Sequence, residues 1–324
     1  MKPYPLILKP AIKDYLWGGT RLKSEFGYES GDIAAEAWVL SCHKDGPSVI
    51  QNGELAGKTL PESLALWGNA SAGKNAAVFP YFPILIKLID ARDRLSVQVH
   101  PSNEYALRVE GEYGKTEMWY VVDCQPGAQL IYGLNTKIDK DEFRRRIKDD
   151  ALTEVCNFVP VKKGDVFFIE AGTLHAIGAG ILIAEVQQNS NTTYRVSDYG
   201  RLGADGKPRE LHIDKAVDVT TTAPPTQPYG NVGEIRTLSG GSSRSLAGCA
   251  FFTSSILTVE ETMPVGSENS FCSLVCLEGD CTLKTDNGES YHLEKGSSVF
   301  IPAGIHTQLE GNPKLPAQLL YSFV

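Results

Sequence analysis

No stretch of the 324 residues approaches the ~20 consecutive apolar residues that a helix needs to cross a bilayer. The opening MKPYPLILKPAIKDYLWGG has only a few apolar residues in a row before Lys9 and Pro10 interrupt them, too few for the apolar centre of a secretory leader. Positive charge is scarce: 31 Lys and Arg stand against 39 Asp and Glu, a net charge of −8, and no basic block offsets it. That balance argues against nucleic acid as a partner and leaves a phosphorylated small molecule open, held by a few local cations. The seven cysteines are odd in number, and Cys272, Cys276 and Cys281 lack zinc-ribbon spacing. They lie in an apolar, strand-like segment and read as small hydrophobes of a core, in a protein expected to be reduced and cytoplasmic.

What is present begins with a repeat. KGDVFFIEAGTLH at 163–175 matches KGSSVFIPAGIH at 295–306, one residue shorter, and each copy follows a strand–turn–strand, WYVVDCQPGAQL at 119–130 and SLVCLEGDCTL at 273–283. Two copies in a chain too long for one ordinary core predict two related domains in tandem. The short runs of Val, Ile, Phe and Leu, punctuated by Gly, Pro, Asn and Asp, predict a mainly β protein built of two barrels or jelly rolls with a few short helices. Residues 58–68 read as one helix ending at Gly68. Residues 139–159 read as another, opening on acidic residues, with Phe143, Ile147 and Leu152 near one face and its core expected at about 139–156. The Thr- and Pro-rich stretch 219–234 is the candidate linker, so the domains are drawn at 1–234 and 235–324.

Chemistry concentrates in SVQVHP at 96–101, GKTEMWYVVD at 114–123 and AGTLHAI at 171–177. Strand alternation puts Ser96, Gln98 and His100 on one face, and Lys115, Glu117 and Trp119 on another. Taken singly, each has a bland reading: His100 as a loop histidine before proline, Glu117 as a solvated strand charge, His175 as a brace for its glycine-rich turn. The second copy tests those readings, because it carries Phe271, Cys272 and Ser273 around the position of Glu117 and keeps only His306. The scaffold folds without these polar groups, so Gln98, His100, Glu117 and His175 are expected to hold one divalent metal, and the second domain none. Imidazole, carboxylate and amide oxygen suit Zn²⁺, with Fe²⁺ and Mn²⁺ also open.

The segments AEAWVLS at 35–41, FPILIKLIDA at 82–91, SVQVHPS, GKTEMWYVV, AGTLHAIG and QQNSNTTYRVSDYGR at 187–201 resemble the type I phosphomannose isomerases of the cupin superfamily. The resemblance implies two cupin barrels and one Zn²⁺ per chain, bound by Gln98, His100, Glu117 and His175. It also implies that Arg195, Lys115, Lys87, Trp17 and Glu36 line or border a site for a sugar phosphate, with Ser96 and Asn191 placed beside them. The short interval between Glu117 and His175 is that of the compact bacterial branch, expected to be a monomer or weak homo-oligomer. Asn191 stands where the longer branch carries an Asp.

Such an enzyme would interconvert D-mannose 6-phosphate and D-fructose 6-phosphate through a cis-enediol. Lys87, inside the apolar run PILIKLI, is a candidate base if burial lowers its pKa; the alternative is an ammonium that escapes to the barrel mouth. Lys115 and Arg195 read as anion ligands. Asp198 and Tyr199 are placed to orient Arg195, and His43, His212 and His292 read as ordinary polar groups. Two rival readings remain at this level: a non-catalytic sugar-phosphate-binding cupin, and an iron-dependent cupin oxygenase.

Overall fold

A computed structural model describes residues 2–203 and 206–324, and strands dominate it. They form four sheets, arranged as two face-to-face pairs, and no sheet closes on itself. In the first pair, a six-stranded sheet runs in the order Val166–Ile169, Glu117–Cys124, Ile181–Gln188, Ile84–Ala91, Glu36–Leu40, Ala11–Lys13. Its partner has the order Tyr194–Ser197, Val97–Val99, His175–Ala176, Gln129–Leu134, Cys156–Pro160. Between them lie Ile89, Trp119, Val121, Phe167 and Ile183 from one sheet and Leu130, Tyr132 and Val159 from the other.

The opposite face of the six-stranded sheet is covered too. Ile84, Ile86, Leu88, Met118, Ala184 and Val186 share one core with Phe252, Ile256, Phe271, Val275, Phe300 and Leu320 of the second pair. Strands Ile84–Ala91 and Ile181–Gln188 are therefore buried at all eight positions. Burial on both faces explains why their sequences are almost continuously apolar rather than alternating. It also makes the three charges they carry, Lys87, Asp90 and Glu185, conspicuous.

The second pair repeats the first. Its large sheet runs Ile235–Leu238, Gly241–Gly248, Thr253–Val259, Ala317–Phe323, Cys272–Glu278, Ser298–Ile301, and its small sheet Thr262–Gly266, His306–Glu310, Asp280–Thr285, Ser290–Glu294. The strand order matches that of the first pair, except that Tyr194–Ser197 has no counterpart, and so do the irregularities. One register shift falls between Trp38 and Leu40 in one pair and between Ser245 and Ala247 in the other. A second falls between Leu182 and Ile183 opposite Val121 and Asp123, matched by Cys276 and Glu278 opposite Leu319 and Gln318. Shared bulges are shared backbone design, so the repeat seen in the sequence extends to the register. The three clustered cysteines lie in the second core as free thiols.

Three details differ from the sequence reading. Strand Leu6–Lys9 pairs with Ser298–Ile301, so residues near the N-terminus extend the large sheet of the second pair, as does Val49–Ile50. The segment 220–234 has no regular structure but is packed down: Tyr229 stacks on Phe167, and Gly230 bridges Val166. The helix expected over 139–159 ends at Lys148. Asp139 caps its start, accepting from the Glu142 N–H, and Phe143 and Ile147 are buried as expected. Asp150, at φ 52°, then breaks it; Leu152–Val155 is a single tight turn, and Cys156–Pro160 is a strand paired with Gln129–Leu134. The helix Leu60–Trp67 is as read, with a Thr59–Glu62 capping box and Gly68 at its end.

Candidate metal centre and adjoining cavity

Pairing register assembles the centre. Gln98 and His175 face each other across two strands of the small sheet. Glu117 opens its strand opposite Ile169 and Gln187 and points inward with Trp119 and Val121. His100 follows directly after the Gln98 strand. His100, Glu117 and His175 are fully buried, and one ligand atom from each lies within 4.8 Å of the others. Gln98 completes the group, its amide 3.4 Å from His175 Nε2; amide oxygen and nitrogen exchange by a half-turn of the side chain.

The protonation pattern is set by backbone carbonyls. His100 Nδ1 donates to Thr192 O at 2.9 Å and His175 Nδ1 to Thr173 O at 2.8 Å. Both Nε2 atoms therefore present lone pairs in the neutral ring, and they stand 3.1 Å apart. Glu117 adds Oε2 3.5 Å from His100 Nε2 and Oε1 3.5 Å from His175 Nε2, and Oε1 accepts no hydrogen bond although it is buried. Burial, and then the Lys115 charge, hold both imidazoles neutral, His175 down to about 3. Burial and the nearby Glu185 push the Glu117 carboxyl up to about 7. Converging lone pairs with an orphaned buried carboxylate oxygen form a donor set that fits a divalent cation. Among the described residues, the positive group set directly against them is the Lys115 ammonium, 3.1 Å from His100 Nε2 and 2.5 Å from Glu117 Oε2.

Above this centre opens a cavity of about 300 Å³. Trp17, Glu36, Lys87, Ser96, Gln98, Lys115, Asn191 and Arg195 all line it, so every substrate-side residue named from the sequence converges there. Four further polar lining residues escaped the sequence reading: Tyr15, Glu185, Thr193 and Arg209. Glu185 is the important omission. Its carboxylate lies 3.4 Å from Lys87 and 3.6 Å from Lys115, and it accepts from Trp119 Nε1 at 2.9 Å. The available signal was an acid inside the apolar run ILIAEVQQ, the same anomaly that drew attention to Lys87. A larger cavity of about 560 Å³ is lined mainly by Pro61, Leu64, Phe79, Tyr81, Phe82 and small residues. Its charged lining is limited to His43, Lys44 and Glu112, and it does not reach the His100–Glu117–His175 cluster, so size alone does not make it the reactive site.

The surroundings of Lys87 overturn one expectation. Burial opposes its charge, but Glu36 at 3.6 Å and Glu185 at 3.4 Å outweigh burial, and the ammonium is held above its ordinary pKa. Lys87 neither escapes to the mouth nor rests as a neutral amine; it lies 5.1 Å over the Trp38 ring, between two carboxylates. Burial likewise opposes the Glu185 charge, and Lys115 and Lys87 outweigh it and keep the carboxylate ionised. Arg195, opposite Gln98 in the pairing, donates Nη1 to Glu210 O at 3.0 Å and leaves a buried Nε without a partner. Asp198 does not orient it: that carboxylate clamps Arg201 and Arg209, while Tyr199 stacks under Arg94. His43 is buried against Glu112, and His306 meets Glu268 at 2.6 Å on the surface.

Fold and site together define the class: a mainly β protein of two repeated sheet pairs, one of them carrying a buried His–Glu–His centre beneath a charged cavity. Comparison with known proteins narrows it. A model of the type I phosphomannose isomerase catalytic domain matches residues 6–119, and one of the mannose-6-phosphate isomerase cupin domain matches residues 243–316. The mannose-6-phosphate isomerase of Streptococcus mutans serotype c is 38% identical over 97% of both chains. ManA of Bacillus subtilis, a mannose-6-phosphate isomerase, is 38% identical over 96% of this chain and 97% of its own. The crystal structure of the mannose 6-phosphate isomerase from Bacillus subtilis superposes with a TM-score of 0.89 at 32% identity, covering 99% of this chain and 100% of that one. The chain belongs to the type I mannose-6-phosphate isomerase family.

Proposed function

We propose that this chain interconverts D-mannose 6-phosphate and D-fructose 6-phosphate through a cis-enediol, with one Zn²⁺ held by Gln98, His100, Glu117 and His175. The observation that carries the reading is the pair of Nε2 lone pairs 3.1 Å apart beside an unpaired buried carboxylate oxygen, at the floor of a cavity of lysines and arginines. A zinc ion bound there would supply Lewis-acid stabilisation of charge developing on a sugar oxygen. The two sheet pairs are tandem cupin-type jelly rolls, 1–234 catalytic and 235–324 degenerate, the second borrowing a strand from the first residues.

The chain's own groups divide the remaining work. Arg195 Nε and the cavity face of Arg209 offer planar, permanently charged donors to a phosphate or enediolate oxygen. Lys115, buried and held by Glu117, contributes a point charge beside them. Lys87 enters the reaction as an ammonium, so its part is to donate a hydrogen bond to the enediolate and stabilise it, rather than to start as the base. Trp17, Glu36, Ser96 and Asn191 bound the sugar. The seven free thiols suit a reducing cytoplasm, and among the described residues no helix is long and apolar enough to cross a membrane.

A coupled isomerase assay on metal-analysed protein tests this reading. Turnover of mannose 6-phosphate should follow zinc occupancy, vanish with a strong chelator and return on adding zinc back. In deuterated water, product formed early should carry solvent deuterium. Fully metallated, folded protein that binds the sugar phosphate without turning it over would establish a binding protein instead.

A further inference from the structure

The first sheet pair carries an insertion that the second lacks. From Val97–Val99 to Glu117–Cys124 the chain spends residues 100–116, including the helix Asn103–Val109; the matching connection in the second pair is 267–271. Near the end of the insertion stands Glu112, which lines the larger cavity with His43 but neither the cavity above the centre nor the metal-ligand cluster. Its carboxylate gathers four donors. Oε1 accepts from His43 Nε2 at 3.0 Å; Oε2 accepts from Asn191 N at 3.0 Å, Thr192 Oγ1 at 3.1 Å and Ser190 Oγ at 3.2 Å. His43 is itself fixed, because its Nδ1 accepts from the Asp45 N–H, leaving the proton on Nε2.

One side chain thus gathers three consecutive residues of the connection 189–193. That connection has two outputs. The Thr192 carbonyl accepts from His100 Nδ1, which decides that Nε2 carries the lone pair facing the centre. Asn191 and Thr193 form part of the cavity wall. Asp45 reinforces the arrangement by accepting from Asn191 Nδ2 at 2.9 Å. Partners that fix a ligand's second ring nitrogen govern its orientation and its affinity for metal.

We infer that Glu112 is a positioning residue, which holds Ser190–Thr192 so that the Thr192 carbonyl presents His100 Nε2 to the metal and Asn191 to the sugar. The inference rests on the metal centre proposed above. It requires no direct contact between Glu112 and metal or substrate, and it gives the insertion a purpose in the one sheet pair that keeps the ligands.

The test is a Zn²⁺ titration of metal-stripped protein against a chromophoric chelator, for the native chain, Glu112→Gln, and Glu62→Gln in the remote helix cap as control. Glu112→Gln should raise the zinc dissociation constant about tenfold or more, and it should change the visible spectrum of the Co²⁺-loaded protein; Glu62→Gln should do neither. At saturating zinc, kcat of Glu112→Gln should recover more fully than KM, because the displaced Asn191 wall remains. A folded Glu112→Gln with zinc affinity within twofold of native overturns the role. If that variant does not fold, Ser190→Ala and Thr192→Val each remove one donor to Glu112, and unchanged affinity and KM in both overturn it equally. Weak zinc binding by the native chain defeats both this role and the metal reading, whereas tight native binding with an unmoved variant defeats only the role.

Discussion

The two sheet pairs share strand order and bulges, yet only one has chemistry at its centre. Register gives the correspondence residue by residue. Glu117 lies opposite Ile169, and Cys272 opposite Ile301; Gln98 lies opposite His175, and Gly266 opposite His306. Following the same ladders, Glu185 and Lys87 correspond to Tyr321 and Ser255, and Trp38 to Ser245. Two residues beyond Gln98 and Gly266, His100 corresponds to Glu268. The buried ions of the first pair become small or neutral side chains in the second, where Cys272 Sγ meets Tyr321 Oη at 3.2 Å. Buried charges are costly unless fully paired, so a copy relieved of function relaxes to an ordinary core. Buried ions kept on an otherwise equivalent backbone therefore single out the first pair as the half proposed to react.

The largest effect should come from making the first pair resemble the second at one atom. Glu117→Gln keeps shape and removes the carboxylate that meets both histidines and Lys115. Zinc affinity should fall at least 100-fold, beyond what loss of a supporting residue costs, and turnover at ordinary zinc at least ~10³-fold. The Lys115 ammonium, 2.5 Å from Glu117 and itself buried, keeps only Glu185 at 3.6 Å, so the fold should also lose on the order of 3 kcal/mol. Isothermal metal titration and a denaturant melt measure the two losses separately. A variant retaining native zinc affinity removes Glu117 from the ligand set.

The reciprocal change asks whether the second pair tolerates what the first carries. Cys272→Glu puts a carboxylate at the position of Glu117, in a fully buried site without a lysine equivalent, since Ser270 stands two residues before Cys272 where Lys115 precedes Glu117. The cost should be about 3 kcal/mol at neutral pH, and smaller in acid where the carboxyl is neutral. Isomerase activity should be nearly native in the fraction that folds, because the pair proposed to be catalytic is untouched. Equal stability of Cys272→Glu and native protein at pH 7 would show that the first pair's charges are easily accommodated, and the contrast would lose its meaning.

Much of this was legible in residues, for identifiable reasons. Strand periodicity and turn residues announced a mainly β chain. The second copy served as an internal control that separated Gln98, His100, Glu117 and His175 from scaffold. Long-range pairing was the illegible part. Nothing local says that Leu6–Lys9 joins a strand almost 300 residues away, because any edge with free N–H and C=O groups accepts it. Cys156–Pro160 lost its helical reading to a partner, Gln129–Leu134, that propensity cannot see. The state of Lys87 was missed for the same reason. Burial of its head was one of two readings left open, and its effect on charge depended on Glu36 and Glu185, which reach it from two neighbouring strands.

The insertion carrying Glu112 sharpens the contrast most finely, through pH. The hydrogen bond from His43, and with it the Asn191 N–H and Thr192 hydroxyl, push this carboxyl down to about 2 against the opposing effect of burial. A carboxyl lowered on folding stabilises the native state fully above its unfolded pKa, near 4.5, and that contribution drains away as pH falls toward 2. A shift of that size is at most about 3 kcal/mol at 1.36 kcal/mol per unit. The side chain is a fifth exposed, so a loss of roughly 1–3 kcal/mol between pH 5 and pH 2 is expected of the native chain. Glu112→Gln has no such group to titrate, so its stability profile should be flatter by that amount over the same interval. Urea midpoints at half-unit pH steps resolve a difference of this size. Parallel acid limbs would mean that the four donors around Glu112 do not favour its charge, and that the insertion is spacer rather than support for His100.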